Sequence, residues 1–267
     1  MAGPSVYPEL NSVLEELVSS VRAILGDNFC GAYLVGSFAA GDADEHSDVD
    51  FIVATNDQVT DEQLAALQAM HARIYGLQST WAQHLEGSYV PKDRLRRVDP
   101  DRTQFLFLDN GATELVLDNH CNTAVVRWVL RKHGVVLDGP DPAGLVEPVT
   151  PAQLRSEALA AMDEFVAWAS HRVSETSRWK QPYLVLTFCR LLHTLNEGTV
   201  ASKRQAGEWA LQALDAEWSS LIQQALDDRP DPWGRVRQPA DPKLVARTLE
   251  FADYSAREGG QASPRKT

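Results

Sequence analysis

The residues best suited to chemistry lie between positions 36 and 50. Gly36-Ser37 is followed by Gly41 and then by Ser47-Asp48-Val49-Asp50. An apolar run from Gly31 to Val35 leads into Gly36, so a strand is expected to end in a Gly-Ser turn. At such a turn the backbone approaches an anion closely, and the Ser37 hydroxyl has a proton to donate. A flexible loop containing Gly41 is expected next, and then a second apolar run from Val49 to Ala54. Alternation along a strand sets Asp48 and Asp50 on one face. Two carboxylates side by side repel each other unless a cation lies between them. Mg2+, a hard ion ligated by oxygen, would neutralise them and bring nucleotide phosphates with it. Either half alone reads as an ordinary turn or a pair of solvated aspartates. Together, in this order and followed by Phe51-Ile52-Val53, they favour a site for phosphate and metal.

The elements that must position these residues follow from periodicity. Leu10, Val13, Leu14, Leu17, Val18, Val21 and Leu25 recur at helical spacing and predict an amphipathic helix from Glu9 to Leu25. Thr60 to Gln63 has the form of a capping box, followed by a helix to Tyr75. His84 to Val90 is expected to be a third strand. Gln104 to Leu108 and Thr113 to Leu117 flank Asp109-Asn110-Gly111 and predict a hairpin. A helix from Thr123 to His133 and an extended segment from Val135 to Leu137 complete this half. Gly139 to Pro151 then holds four prolines and two glycines, a boundary signal. Beyond it the pattern is helical, with segments starting near Pro151, Pro182, Lys203, Ala216 and Pro242, and Ser202 to Gln205 repeats the capping-box form.

Composition narrows the functions available. The chain has 267 residues, 44% of them hydrophobic, enough for one large domain or two small ones with a proper core. Lys and Arg number 25 against 37 Asp and Glu, a net charge of −12. That balance argues against general nucleic-acid binding, which needs a basic surface, and suits a cationic partner. Cys30, Cys121 and Cys189 are widely spaced and odd in number, which speaks against a disulfide framework and a cysteine zinc site. The N-terminal residues lack a basic segment followed by an apolar one, and no apolar run approaches the roughly 18 residues of a membrane span. The expectation is a cytoplasmic protein with no nucleic-acid and no membrane partner.

Gly36-Ser37, with Asp48 eleven residues beyond Ser37 and then Asp50, resembles the signature of the nucleotidyltransferase superfamily. Over nearly its full length the chain resembles the aminoglycoside 3''/9 adenylyltransferases, which inactivate streptomycin and spectinomycin by transferring AMP from ATP. Arg131-Lys132-His133-Gly134-Val135-Val136-Leu137-Asp138-Gly139-Pro140 resembles the end of their first domain. Leu184-Val185-Leu186-Thr187-Phe188-Cys189-Arg190, Gly198, Ser202-Lys203 and Glu208-Trp209-Ala210 resemble their second. The fold implied is α+β. A nucleotidyltransferase domain with a mixed β-sheet and flanking helices spans 1–140. A C-terminal all-α helical bundle that closes on substrate and ATP spans 151–258, and a disordered tail spans 259–267.

The resemblance also implies roles. Asp48 and Asp50 match the magnesium ligands. Gly36, Ser37 and Ser47 match the phosphate-binding segment, and Arg190 and Lys203 match residues that hold the ATP triphosphate. Glu86, in His84-Leu85-Glu86-Gly87, falls where the family has its catalytic base. Its strand is expected beside that of Asp48 and Asp50, so its carboxylate could complete the site; the alternative is an exposed strand glutamate. For Arg190 and Lys203 the alternative is a helix-surface cation. Glu86 and Glu175 are the acids expected nearest a cationic acceptor.

The chain departs from the family at its streptomycin contacts. The acid nearest the Arg190 helix is replaced by Lys180 or Gln181, leaving only Glu175 close. A first-domain tryptophan has no clear match in Glu114-Leu115-Val116-Leu117. Asp118-Asn119-His120-Cys121-Asn122 has no family role; His120 beside Cys121 raises a metal or nucleophile pair, against a satisfied loop histidine. The activity expected is magnesium-dependent transfer of AMP from ATP to a hydroxyl of spectinomycin or streptomycin, releasing pyrophosphate and conferring antibiotic resistance. The alternatives are AMP transfer to another small-molecule or protein acceptor, and a non-catalytic nucleotide-binding module.

Overall fold

The computed structural model describes residues 3–172, 177–230 and 232–262. It divides the chain into two units, residues 1–43 with 47–149, and residues 44–46 with 150–267.

In the first unit, helix α1 (Pro8–Leu25) buries Leu10, Val13, Leu14, Leu17, Val21 and Leu25, the stripe its spacing predicts. Strand β1 (Phe29–Leu34) leads into the short helix α2 (Gly36–Ala40), and β2 (Val49–Thr55) follows. Helix α3 (Asp61–Tyr75) opens on the predicted capping box between Thr60 and Gln63. Next come β3 (Leu85–Pro91), the single turn α4 (Lys92–Leu95), β4 (Phe105–Leu108), β5 (Leu115–Asp118), α5 (Ala124–His133), β6 (Val135–Asp138) and α6 (Pro142–Leu145). The strands form one sheet in the order β5-β4-β3-β2-β1-β6. The β2–β3 pair is parallel and the other four pairs are antiparallel, so the sheet is mixed as expected. The β4–β5 hairpin turns through Asp109-Asn110-Gly111, where Ala112 N donates to Asp109 O at 2.9 Å and Gly111 takes φ +77°.

One face of the sheet is the core. Ala32, Leu34, Val49, Phe51, Val53, Leu85, Tyr89 and Leu108 pack with residues of α1 and α3 into a single apolar cluster. The residues between them in β2 and β3, Asp50, Ile52, Glu86 and Ser88, point to the opposite face. Burying one face thereby presents the polar side chains together on the other.

The second unit is helical: α7 (Pro151–Arg172), α8 (Lys180–Glu197), α9 (Lys203–Ala213), α10 (Ser219–Asp227), the turn α11 (Pro232–Arg235) and α12 (Pro242–Ala262). Helix α8 is apolar around much of its circumference and forms the centre. Leu184, Val185, Leu186, Phe188, Cys189, Leu192 and Leu195 join Met162, Trp218 and Phe251 in the core. It starts at Lys180, ahead of the expected Pro182, which is accommodated in the first turn where its missing N–H is not needed. Gly198 ends it at φ +68°, its N–H donating to Thr194 O. Helix α9 opens on the predicted Ser202 and Gln205 capping box.

The tail expected to be disordered from residue 259 is helical through Ala262. A Cβ at Gly259 would come within 3.1 Å of Leu195 and 3.4 Å of Met162, so this glycine allows α12 to pack closely on the core. Residues 263–267 lie outside the described residues.

Candidate active site

The end of β1 is tied to its neighbour where Val35 N donates to Asp50 O at 2.9 Å. The chain then enters α2 instead of the open turn expected from Gly36-Ser37. Gly36 takes φ +57° and Ser37 stands in the first turn of this helix. Gly41, at φ +70°, closes the helix with its N–H on Ser37 O, so the loop predicted after Ser37 begins only beyond Gly41. Phe38 anchors α2 against Tyr7 and Trp81, with ring centroids 6.4 and 5.8 Å away.

Asp48 and Ser47 directly precede β2, and Asp50 is the second residue of that strand. In the parallel β2–β3 ladder Asp50 lies opposite Glu86, the adjacency expected from the sequence. A Cβ at Gly36 would fall 1.8 Å from Asp50 Oδ2. The Asp50 carboxylate therefore occupies the space a side chain at position 36 would need. Glycine is required there twice, for the close approach and for the positive φ. Among the described residues no three His, Cys, Asp or Glu side chains gather tightly enough to hold a metal by themselves. Mg2+ at nucleotide sites takes one or two carboxylates and fills its shell with phosphate oxygens and water, which suits the donor set of Asp48 and Asp50.

Glu86 has a neighbour that its own strand does not supply. His120 Nε2 stands 3.2 Å from Glu86 Oε1. The hydrogen bond to Glu86 raises the His120 pKa above the ordinary histidine value. Burial opposes that shift, and Asp118 and Asp50 add to it. The ring stacks on Phe107 of β4, centroids 5.1 Å apart and planes at 27°. The adjoining Cys121 thiol is pushed up to about 12 by burial, with a bond to Ser88 pulling the other way. A thiol so protonated is a poor nucleophile, which removes the His–Cys nucleophile pair. His120 was reached from the sequence only as part of a cluster without a role. Its position follows from the order β3-β4-β5, and the one local signal was a polar run directly after an apolar hairpin strand.

Arg190 and Lys203 belong to the helical unit. Arg190 Nε donates to Ala201 O at 3.2 Å, and Lys203, the first residue of α9, holds its Nζ 5.4 Å from the Tyr183 ring centroid. Of the departures noted before Arg190, Lys180 places its Nζ 5.9 Å from the Trp168 ring centroid. Gln181 is buried, and with its amide turned so that the nitrogen faces them it donates to the Ser177 and Arg178 carbonyls at 3.2 Å each. Glu175 lies outside the described residues. Among the described residues no helix is long and apolar enough to cross a membrane.

A mixed sheet with Asp50 and Glu86 side by side, behind a Gly-Ser helix start, defines a nucleotidyltransferase domain, and the nucleotidyltransferase domain family matches residues 15–99. The family of the aminoglycoside adenylyltransferase C-terminal domain matches residues 145–252. With both halves matched, the chain belongs to the aminoglycoside adenylyltransferases, an enzyme family. It is 24% identical over 214 residues to spectinomycin 9-adenylyltransferase of Staphylococcus aureus, covering 76% of this chain and 78% of the relative. It is 24% identical over 237 residues to aminoglycoside (3'') (9) adenylyltransferase of Shigella flexneri, covering 83% and 86%. The crystal structure of spectinomycin adenyltransferase AAD(9) from Enterococcus faecalis with ATP and spectinomycin shares the fold. Its TM-score is 0.69 at 15% identity, over 92% of this chain and 98% of that one.

Proposed function

We propose that this enzyme transfers AMP from ATP to a hydroxyl of a cationic aminocyclitol or aminoglycoside antibiotic, releases pyrophosphate and so confers resistance. The observation that carries the reading is the pairing of Asp50 with Glu86 on adjacent parallel strands, with the Asp50 carboxylate seated against Gly36. Asp48 and Asp50 would hold Mg2+, which when bound neutralises phosphate charge and so favours the leaving of pyrophosphate. The Ser37 and Ser47 hydroxyls donate to phosphate oxygens, and Arg190 and Lys203 bind the triphosphate by charge-assisted hydrogen bonds. Glu86 takes the proton from the acceptor hydroxyl as its oxygen attacks the α-phosphorus. The bond from that phosphorus to the bridging oxygen of pyrophosphate breaks in the same displacement.

Spectinomycin is the preferred acceptor, with streptomycin second. The names of the similar proteins from S. aureus and E. faecalis support that order. A further support is Lys180 over Trp168, a cation close to where the family carries an acid for streptomycin. Like charge there disfavours a guanidinium. Glu86 and Glu175 remain the acids assigned to the acceptor. The same departure favours a second reading, AMP transfer to a different small molecule or a protein side chain.

Glu86→Gln tests the base. It is expected to bind Mg-ATP as the wild type does in calorimetry and to lose transfer by roughly two to four orders of magnitude. Unchanged turnover would remove Glu86 from that role.

A further inference from the structure

We propose that His120 is a positioning residue for Glu86, donating from Nε2 to Oε1 so that the other carboxylate oxygen is presented to the acceptor hydroxyl. This rests on the reading of Glu86 as the general base.

The geometry distinguishes the contact from a chance surface ion pair. The Glu86 side chain is only 15% exposed, while that of His120 is 60% exposed, so the histidine reaches in from the rim to a carboxylate set into the sheet face. Glutamate has three rotatable bonds between backbone and carboxylate, and a strand backbone fixes none of them. A hydrogen bond at one oxygen removes that freedom. A general base acts only within hydrogen-bond reach of its proton, and a misplacement of about 1 Å costs roughly a hundredfold in rate.

A residue that positions another must itself be held, and His120 is held on three sides. Its N–H donates to Asp118 Oδ1 at 2.7 Å, which fixes the chain as it leaves β5. Asn122 closes the loop, its N–H on Asn119 O at 2.9 Å and its amide on Thr103 O at 2.8 Å and Asp99 Oδ2 at 3.1 Å. The ring plane is set by the stack on Phe107. Phe107 lies opposite Ser88, two residues along β3 from Glu86 and on the same face, so the pairing of β3 with β4 fixes the platform relative to the carboxylate. The carboxyl groups that act on the ring are Glu86 from β3, which it contacts, with Asp118 from β5 and Asp50 from β2, and the Cys121 thiol lies beside it in the loop. Nε2 is the ring atom that meets Glu86, so the donor is set by the placement of the ring.

The test is a double-mutant cycle on the full chain, with spectinomycin and streptomycin as acceptors. Wild type, His120→Ala, His120→Gln, Glu86→Gln and Glu86→Gln/His120→Ala are compared by single-turnover AMP transfer, steady-state kinetics and thermal unfolding. His120→Ala is expected to lower kcat about ten- to a hundredfold, with KM for ATP within about twofold and an unchanged melting temperature. His120→Gln, whose amide can donate to the same oxygen, is expected to recover most of that loss. In the Glu86→Gln background the removal of His120 is expected to change nothing further. The inference is overturned if His120→Ala keeps the wild-type kcat, if His120→Gln is as slow as the alanine variant, or if the loss is equally large without Glu86. The two readings fail separately. Wild-type turnover by Glu86→Gln, or no turnover of either drug by the wild type, removes the reading of Glu86 and this inference with it. An inactive Glu86→Gln beside a fully active His120→Ala removes this inference alone.

Discussion

A single methyl group at position 36 is enough to disturb the arrangement on which the chemistry depends. The Asp50 carboxylate lies where that methyl would be, and the backbone at Gly36 is in the left-handed region. Gly36→Ala is therefore expected to cost about 1–3 kcal/mol of stability from the backbone alone. It is also expected to lower AMP transfer at least about tenfold if Asp50 holds Mg2+ as proposed, because the carboxylate must then leave its place. Thermal unfolding and transfer rate, measured on one preparation, check both halves. Wild-type turnover in a folded Gly36→Ala variant would mean that the seat of Asp50 against Gly36 does not matter. The signature Gly-Ser and the two aspartates were legible in the sequence because their spacing is local. The reason for glycine at 36 was not, because the group that needs the room arrives fourteen residues later from the next strand.

Helices and strands position the site through the core beneath it, and one buried histidine makes that core sensitive to acid. His71 of α3 stacks on Phe51 of β2, and its Nε2 lies 2.7 Å from the Tyr89 hydroxyl of β3. Burial pulls its pKa down to about 4 from the ordinary 6.5, so it is neutral in the fold. Below about pH 6.5 the unfolded chain takes up a proton that the folded one refuses until about pH 4. Stability from this group is therefore complete above pH 6.5 and is lost as the pH falls, by about 2 kcal/mol at pH 5. Denaturant unfolding at pH 7 and pH 5 should show wild type losing about that much more than His71→Gln, which cannot titrate; equal losses would contradict it. At this scale α1, α3 and α9 were readable because an apolar stripe or a capping box is a local pattern. Helix α2 was not, since five residues show no period. Helix α8 was placed two residues late because apolar residues surround it and leave only Pro182 as a marker. The meeting of His120 with Glu86 depends on the pairing of three strands, and no stretch of sequence records it.

For the molecule as a whole, the signature lies in the first unit and Arg190 and Lys203 in the second. If both cations hold the triphosphate, Arg190→Ala and Lys203→Ala are each expected to weaken ATP binding by about 1–3 kcal/mol in calorimetry, the scale of a charge-assisted hydrogen bond. Unchanged affinity in both would return them to the helix surface, where Arg190 serves the Ala201 carbonyl and Lys203 the Tyr183 ring. The net charge of −12 suits a cationic acceptor, since a negative field concentrates such a molecule near the protein. The most direct measurement is mass spectrometry of spectinomycin and streptomycin after incubation with the enzyme, ATP and Mg2+, with released pyrophosphate assayed in the same tube. The expected result is spectinomycin heavier by one adenylyl group, with one pyrophosphate released per molecule modified, and formation of both slower by roughly two to four orders of magnitude in the Glu86→Gln reaction. Both drugs recovered unmodified, with no pyrophosphate released, would contradict the account.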